Sequence, residues 1–270
     1  MKGEAGQPSA RRGRRSVALA GVVAIVALVP VLAGLLIRAG SAATTASVPG
    51  YTPVTTSAPR PRSAPANDGI PAGRGALVAL VRHPTTMRSA PAGPALAKLA
   101  TKTEFGSPEA LWVVAHKPGW LGVISQLAGN GHVGWIAQSA TELGRVDWEL
   151  KVSLSARRLT VLSGGRVLAR YTVAIGSAAA PTPTGRFAVT DRLNTGDPSG
   201  PYGCCILALS AHSPHPIEGW TGGNRIAIHS TPETASIGQP DSHGCVRVTL
   251  AQGRWLLAHV PLGTPTLISS

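Results

Sequence analysis

The stretch "IHSTPETASIGQPDSHGCVRV", residues 228–248, brings two histidines close to the last of the three cysteines in the chain. His229 ends the run "RIAIH", in which two isoleucines alternate with the residues of a second face, as in a half-buried β-strand. His243 precedes Cys245 by two residues, so in an extended backbone both side chains point to the same side. A thiol attacks an acyl carbon as the thiolate, and a neighbouring imidazole can accept its proton. The stretch therefore predicts a cysteine nucleophile on a β scaffold, with a thiol pKa lowered by a histidine.

Other interpretations of the same residues are a structural cysteine beside a core histidine, and a zinc site formed by His229, His243 and Cys245. Their spacing matches no closed set of zinc ligands, so we expect neither a metal nor an organic cofactor. Gly244 permits a tight backbone, and the N–H groups of Gly244 and Cys245 are candidates to stabilise an oxyanion. The pattern leaves open which of the two imidazoles accepts the proton.

The stretch resembles the signature of the L,D-transpeptidase (YkuD-type) catalytic domain, which bacteria use on their cell wall. That signature is a histidine after a short strand, a variable loop, and Ser/Thr-His-Gly-Cys followed by an aliphatic residue and Asn or Arg. Here it is matched by His229 and by the run from Ser242 to Arg247. The resemblance covers residues 148–270, including "PTPTG" at Pro181–Gly185 and the terminal "GTPTLIS".

The resemblance implies a role for each matched residue. Cys245 would form a thioester with the acyl group of the substrate, and His229 would act as acid and base. His243 would stabilise the thiolate or shape the oxyanion site. The implied substrate-binding residues are Ser230, Ser242, Gly244 and Arg247, of which Arg247 would meet a substrate carboxylate or make a structural hydrogen bond under the loop.

The family also implies a substrate class. Its members attack the third residue of a peptidoglycan tetrapeptide stem, expel the terminal D-alanine, and pass the acyl group to an amine on a neighbouring stem, which forms a 3→3 cross-link. A β-lactam of the carbapenem type resembles that acyl donor and is the expected inhibitor. The alternatives are an L,D-carboxypeptidase or cross-link hydrolase that uses the same cysteine, and a non-catalytic protein that binds the cell wall.

The N-terminal part of the chain has the features of a targeting segment. Residues 1–15 contain the basic run "RRGRR", and residues 16–37 form a stretch of 22 residues without a charge. That length spans a bilayer, and the arginines would stay in the cytoplasm. Residues 16–37 are thus predicted to be a transmembrane anchor or a cleaved signal, and either one predicts an extracytoplasmic location, membrane-anchored or secreted to the cell wall. Residues 38–74, rich in Pro, Ala, Ser and Thr, are predicted to be an extended linker.

Two further segments complete the predicted organisation. Residues 75–147 alternate short strand-like runs with turn residues, which predicts a small all-β module. Its "GWLGV" and "GWIA", with Trp120 and Trp135, resemble SH3-like wall modules, although two core tryptophans would give the same pattern. Residues 148–270 are predicted to form a mainly β catalytic domain, a β-sandwich of the L,D-transpeptidase type. It contains a hairpin at Gly164–Gly165 and one helix in "TLAQGRWLLAHV".

The distribution of charge along the chain indicates which class of partner to expect. The net charge of +13 is spread along the chain rather than concentrated in one segment, which argues against a nucleic-acid partner.

Cys204 and Cys205 are adjacent, so they cannot close an ordinary loop between distant segments. They are either strand residues that point to opposite faces or partners in a bond with each other.

Overall fold

The computed structural model describes residues 73–215 and 224–270, together with the backbone pairing of a two-residue strand, Thr52–Pro53. The predicted basic segment, 1–15, and the predicted membrane segment, 16–37, lie outside the described residues, as does most of the linker. In the part of the chain that is described, no helix is both long enough and apolar enough to cross a membrane.

The described chain is mainly β, as predicted, with one α-helix and two short 3-10 turns in the described residues. The strands of the N-terminal half are β1 (Thr52–Pro53), β2 (Ala76–Val81), β3 (Thr85–Arg88), β4 (Ala95–Leu99), β5 (Ala110–Lys117), β6 (Trp120–Ile124), β7 (Gly134–Ala137) and β8 (Thr141–Val146). Those of the C-terminal half are β9 (Trp148–Ser153), β10 (Arg158–Ser163), β11 (Arg166–Thr172), β12 (Ile175–Gly176), β13 (Gly185–Asn194), β14 (Cys205–His212), β15 (Arg225–Thr231), β16 (Pro240–Ser242), β17 (Val246–Thr249) and β18 (Pro265–Ser269). The helix α1 spans Leu250–His259.

Local sequence explains several of these elements. Gly164 and Gly165 both adopt positive φ, +57° and +78°, which a two-residue turn between β10 and β11 requires and which glycine adopts without steric cost. Thr249 caps α1, because its side chain accepts from the backbone of Gln252 while the Gln252 side chain accepts from the backbone of Thr249.

The long strand β13 joins the two halves of the larger sheet, whose order is β11-β10-β9-β18-β13-β14-β15-β17. Its first part, Gly185–Ala188, pairs with β18, and its second part, from Val189 to Asn194, pairs with β14. Apolar residues of both halves share one core with α1, including Leu150, Leu207 and Leu256. Two layers of strands over a common core are the arrangement expected of a β-sandwich.

The strands of residues 76–146 form a second sheet, in the order β4-β3-β7-β6-β5-β2-β8. Strand β2 alternates between two cores: Ala79 and Val81 pack within this sheet, whereas Val78 and Leu80 belong to the core shared with α1. The two sheets are therefore joined by packing as well as by the chain, a feature that the sequence did not indicate.

A polar contact between the two sheets involves the loop that links β4 to β5. The hydroxyl of Thr103 donates to the carboxylate of Asp191, which is fully buried on β13. The guanidinium of Arg225 on β15 pairs with Glu104 and lies 3.8 Å from the second Asp191 oxygen. Buried polar groups need such partners, since desolvation without them is costly.

Glu109 lies next to this contact and is only 2% exposed. Burial raises its pKa from 4.5 to about 7; the side-chain hydrogen bond with Gln126 lowers it, and the nearby carboxylate of Asp191 raises it again. Between pH 4.5 and 7 the folded protein thus holds a proton that the unfolded chain has released, so this group makes folding less favourable as the pH rises.

We predict that Glu109→Gln stabilises the protein at pH 8, because the neutral amide removes the cost of a buried carboxylate. The rise of the Glu109 pKa from 4.5 to about 7 corresponds to a gain of about 3 kcal/mol at pH 8 relative to pH 4.5. Urea unfolding at both pH values measures it. Glu149→Gln, on a partly exposed carboxylate beside Lys151, is the control and should show little pH-dependent gain. An equal change in the free energy of unfolding at both pH values would show that the buried carboxylate of Glu109 does not cause the gain.

Candidate active site

The candidate site lies on one face of the half-sheet β13-β14-β15-β17. Leu193, Ile206, His229 and Arg247 stand opposite one another in register across these four strands. Strand β15 pairs in parallel with β17, so residues opposite one another point to the same side. Ile228 pairs with Val246, so one residue earlier in both strands the same register places Cys245 beside Ala227. Both lie on the same side of the sheet as His229 and Arg247. We call this side the thiol face, and the opposite side, which packs on α1, the helix face.

Cys245 is the free cysteine of the chain and is half-buried. Burial raises the pKa of its thiol, and this effect exceeds two opposing ones, a backbone hydrogen bond from Ala227 and the positive charge of Arg247. The structure thus differs from the expectation of a lowered thiol pKa, because desolvation outweighs the neighbouring charge.

His229 is 3% exposed and has two backbone partners. Its Nδ1 lies 2.8 Å from the carbonyl oxygen of Ser230, and since a carbonyl only accepts, Nδ1 carries the proton. The ring also contacts Tyr202 edge-on, with the centroids 4.8 Å apart. Burial lowers the pKa of His229 to about 4, with a smaller lowering by the charge of Arg247, and the backbone hydrogen bonds to Ser230 and Tyr202 oppose this. At neutral pH the ring is therefore uncharged.

The turn before Cys245 is fixed by Ser242 and Gly244. The hydroxyl of Ser242 donates to the carbonyl of Cys245 at 2.5 Å and accepts from the N–H of Gly244 at 3.1 Å. Gly244 has φ +111°, and a Cβ there would stand 2.9 Å from the Ile226 side chain, so this position requires glycine. His243 is exposed at this turn, whereas His229 is buried. The two histidines proposed from the sequence thus lie in different environments.

Arg247 lies in register with His229 and under the loop of residues 232–245. Its Nη1 lies 3.6 Å from Glu233 and 3.7 Å from Asp241, both of which are largely exposed. These ion pairs fit the structural alternative considered for Arg247. Its Nε is buried, and among the described residues it has no hydrogen-bond partner.

Ser230 is fully buried and its side chain points to the helix face. Its hydroxyl accepts from the backbone N–H of Cys205 at 3.1 Å and donates to the carbonyl of Tyr202 at 3.2 Å. The structure therefore does not bring this hydroxyl to the thiol face, because neighbours along a strand point to opposite sides. Ser230 acts on His229 through its carbonyl oxygen.

The sequence did not indicate Phe105, which lies between Glu104 and Gly106 in the loop that carries Thr103. Phe105 packs on the same apolar cluster of Leu193, Ile206 and Ala227 that Cys245 packs on. The guanidinium of Arg225 stands 5.8 Å from the Phe105 ring centroid, in cation–π contact. A residue of the N-terminal sheet thus lines the thiol face, and only tertiary packing shows it.

We predict that folded Cys245 is alkylated with a midpoint pH above that of the unfolded chain, since burial disfavours the thiolate. Arg247→Gln should raise the midpoint further, because a charge that favours the thiolate is removed. Iodoacetamide labelling against pH, resolved by peptide mass, measures both. A folded midpoint at or below that of the unfolded chain would show that burial does not control the thiol.

Comparison with known proteins identifies the family of the C-terminal part of the chain. Residues 147–268 match the family model described as the L,D-transpeptidase catalytic domain, YkuD. The chain is 32% identical over 124 residues to YkuD of Bacillus subtilis strain 168, a match that covers 46% of this chain and 67% of that protein. YkuD of Bacillus licheniformis is 30% identical with the same coverage. Both are named as L,D-transpeptidases.

Among solved structures, an L,D-transpeptidase from Mycobacterium smegmatis aligns with 56% of this chain and 90% of its own, at 17% identity and a TM-score of 0.36. The region that the family model matches contains every residue of the signature. The chain belongs to the L,D-transpeptidase (YkuD) family.

Proposed function

We propose that this protein is a peptidoglycan L,D-transpeptidase that forms 3→3 cross-links through a thioester on Cys245. The observation that carries the proposal is the register of β15 and β17, which puts His229 and Cys245 on one face within the region of the family match. The donor is a tetrapeptide stem, and the acceptor is an amine on a neighbouring stem.

The resting site holds a neutral thiol and a neutral imidazole. Because burial favours both neutral forms, the proton leaves Cys245 as its sulfur bonds to the acyl carbon, and Nε2 of His229 receives it. His229 then returns the proton to the departing D-alanine amine. In the second half of the reaction it takes a proton from the acceptor amine, which attacks the thioester and frees the thiol.

The backbone N–H of Cys245 would stabilise the charge that develops on the substrate carbonyl oxygen. The N–H of Gly244, the other candidate from the sequence, already donates to the Ser242 hydroxyl, which also bonds the carbonyl of Cys245 and so holds the turn. The guanidinium of Arg247, whose side chain is 18% exposed, would bind a carboxylate of the stem. His243, exposed at the same turn, would assist from the solvent side.

The rest of the proposal concerns the whole chain. Residues 75–147 would be an SH3-like module that contributes to binding the wall, and residues 148–270 the catalytic domain. Residues 16–37 would place the enzyme outside the membrane as an anchor or a cleaved signal, with 38–74 as a spacer. A carbapenem would acylate Cys245, since its lactam carbonyl offers the same acyl chemistry as the donor.

Incubation of the full-length chain with a tetrapeptide donor and an amine acceptor tests this function by mass spectrometry. We expect release of D-alanine, an acyl adduct on Cys245, and a cross-linked product, all abolished in Cys245→Ala. A hydrolysed tripeptide without cross-linked product would overturn the transpeptidase assignment in favour of a carboxypeptidase. A fully active Cys245→Ala variant would remove the cysteine mechanism, and an inert wild-type protein would favour the wall-binding alternative.

We predict that Phe105→Ala raises the KM for the tetrapeptide donor about tenfold, the loss expected when an apolar contact worth about 1.4 kcal/mol is removed. Alkylation of Cys245 by iodoacetamide should not change, since that reagent is much smaller than the donor peptide and does not need the Phe105 contact. Leu96→Ala, at a 49% exposed residue of the same sheet, is the control. An unchanged KM in a stably folded Phe105→Ala variant would show that this loop does not bind the donor.

A further inference from the structure

The two adjacent cysteines, Cys204 and Cys205, are joined by a disulfide at the start of β14. A disulfide stabilises a fold chiefly by closing a loop, and the stabilisation grows with the length of that loop. A bond between neighbours closes no loop between distant segments, so structural stabilisation does not account for it. The sequence left open whether these cysteines are bonded, and the structure shows that they are.

The disulfide lines a pocket of about 490 Å³, a volume that suits a small molecule rather than a protein chain. Cys204 is 8% exposed and Cys205 4%, so access to both sulfurs is confined. The residues that line the pocket include Asn194 and Arg254, and Arg254 is exposed on α1. An arginine at the wall of a pocket that contains a disulfide suits a thiol that also carries a carboxylate.

The disulfide is connected to His229 through Ser230. The Ser230 hydroxyl lies 3.5 Å from the sulfur of Cys204 and accepts from the N–H of Cys205. Space around it is tight, because a Cβ at Gly203 would lie 2.5 Å from this oxygen and one at Gly253 would lie 3.1 Å from it. The carbonyl of Ser230 accepts from His229 at 2.8 Å. A change in the backbone of residues 203–205 therefore reaches the histidine through one residue.

We propose that Cys204–Cys205 is a thiol–disulfide exchange site for a low-molecular-weight thiol that carries a carboxylate, and that its redox state alters the hydrogen bonds of His229. The thiolate of the small molecule attacks one cysteine sulfur, the S–S bond breaks, and the other cysteine leaves as a thiolate that takes a proton. A second molecule of thiol then attacks the mixed disulfide. The products are the small-molecule disulfide and a protein dithiol, and the same small-molecule disulfide reoxidises the pair.

Exchange is measured on the full-length folded chain with L-cysteine and with cysteamine, which lacks the carboxylate, at equal thiolate concentration. Trapping with N-ethylmaleimide followed by mass spectrometry should show one labelled cysteine before reduction and three after it. We expect reduction to be at least about threefold faster with L-cysteine, and this preference to disappear in Arg254→Gln, with Arg186→Gln as the control for loss of a cation elsewhere.

Three outcomes would overturn the assignment. One is a disulfide that either thiol reduces only after the protein has been unfolded. Another is an equal rate with both thiols that Arg254→Gln leaves unchanged. The third is a protein dithiol that reduces the native bond faster than both small thiols, which would identify a protein as the partner instead.

The connection to His229 is tested by NMR titration of its ring in three samples: the oxidised protein, the reduced protein, and the Cys204→Ser/Cys205→Ser variant. Oxidised protein should titrate near the low pKa of about 4. The other two should shift upward toward the ordinary value, because a loosened Ser230 admits water to the ring. Identical titrations in all three samples would exclude the connection.

A change in the rate of acyl transfer on reduction rests additionally on the proposed function. If no sample transfers an acyl group while the titrations differ, the proposed function fails and the exchange site stands. If acyl transfer occurs at one rate in the three samples and the titrations coincide, the proposed function stands and the redox connection fails.

Discussion

The parallel pairing of β15 with β17 is the constraint on which the rest of the site depends. It fixes His229 opposite Arg247 and, through the same register, brings Cys245 beside Ala227. A shift of one residue in either strand would turn its side chains to the opposite face and separate the thiol from the imidazole. The turn at Gly244 holds this register at its start, since a larger residue there would meet Ile226. In the proposed mechanism, reactivity depends on strand pairing more than on the closeness of His243 and Cys245 in sequence.

The two faces of the half-sheet β13-β14-β15-β17 carry different groups. The thiol face carries Cys245 and His229 and receives Phe105 from the other sheet, whereas the helix face carries Ser230 and, beside it, the disulfide. Because consecutive residues of a strand alternate, His229 and Ser230 connect the two faces directly. This arrangement lets packing against α1 influence a histidine on the opposite side, and it gives the bonded cysteines a role that loop closure does not.

Much of this was predictable from the sequence. The alternation in "RIAIH" puts His229 on the polar side, the glycine pair Gly164–Gly165 predicts the hairpin, and the match around Cys245 predicts the family. The same alternation, applied one residue further, places Ser230 on the helix face, although the resemblance had grouped it with the substrate-binding residues. The segments 1–15 and 16–37 and the cellular location stay predictions.

The rest depends on tertiary packing that no periodicity encodes. Nothing in the local sequence shows that the Phe105 loop contacts β13 and β15, or that Val78 and Leu80 of β2 join the core of the larger sheet. The expected low thiol pKa failed for a similar reason, because burial is a property of the folded protein and here it exceeds the effect of Arg247. Sequence points to candidate reactive groups, and burial and neighbouring charge in the folded protein set their protonation states.

We expect His229 on β15, rather than His243 in the turn, to accept the thiol proton. Comparison of His229→Gln with His243→Gln tests this assignment. The measurement is kcat/KM for acyl transfer from a tetrapeptide donor, with folding of each variant checked by thermal unfolding. If His229 is the base, kcat/KM falls by about 10²–10⁴-fold in His229→Gln and by less than about tenfold in His243→Gln. The reverse order would contradict it and assign the base to the exposed imidazole.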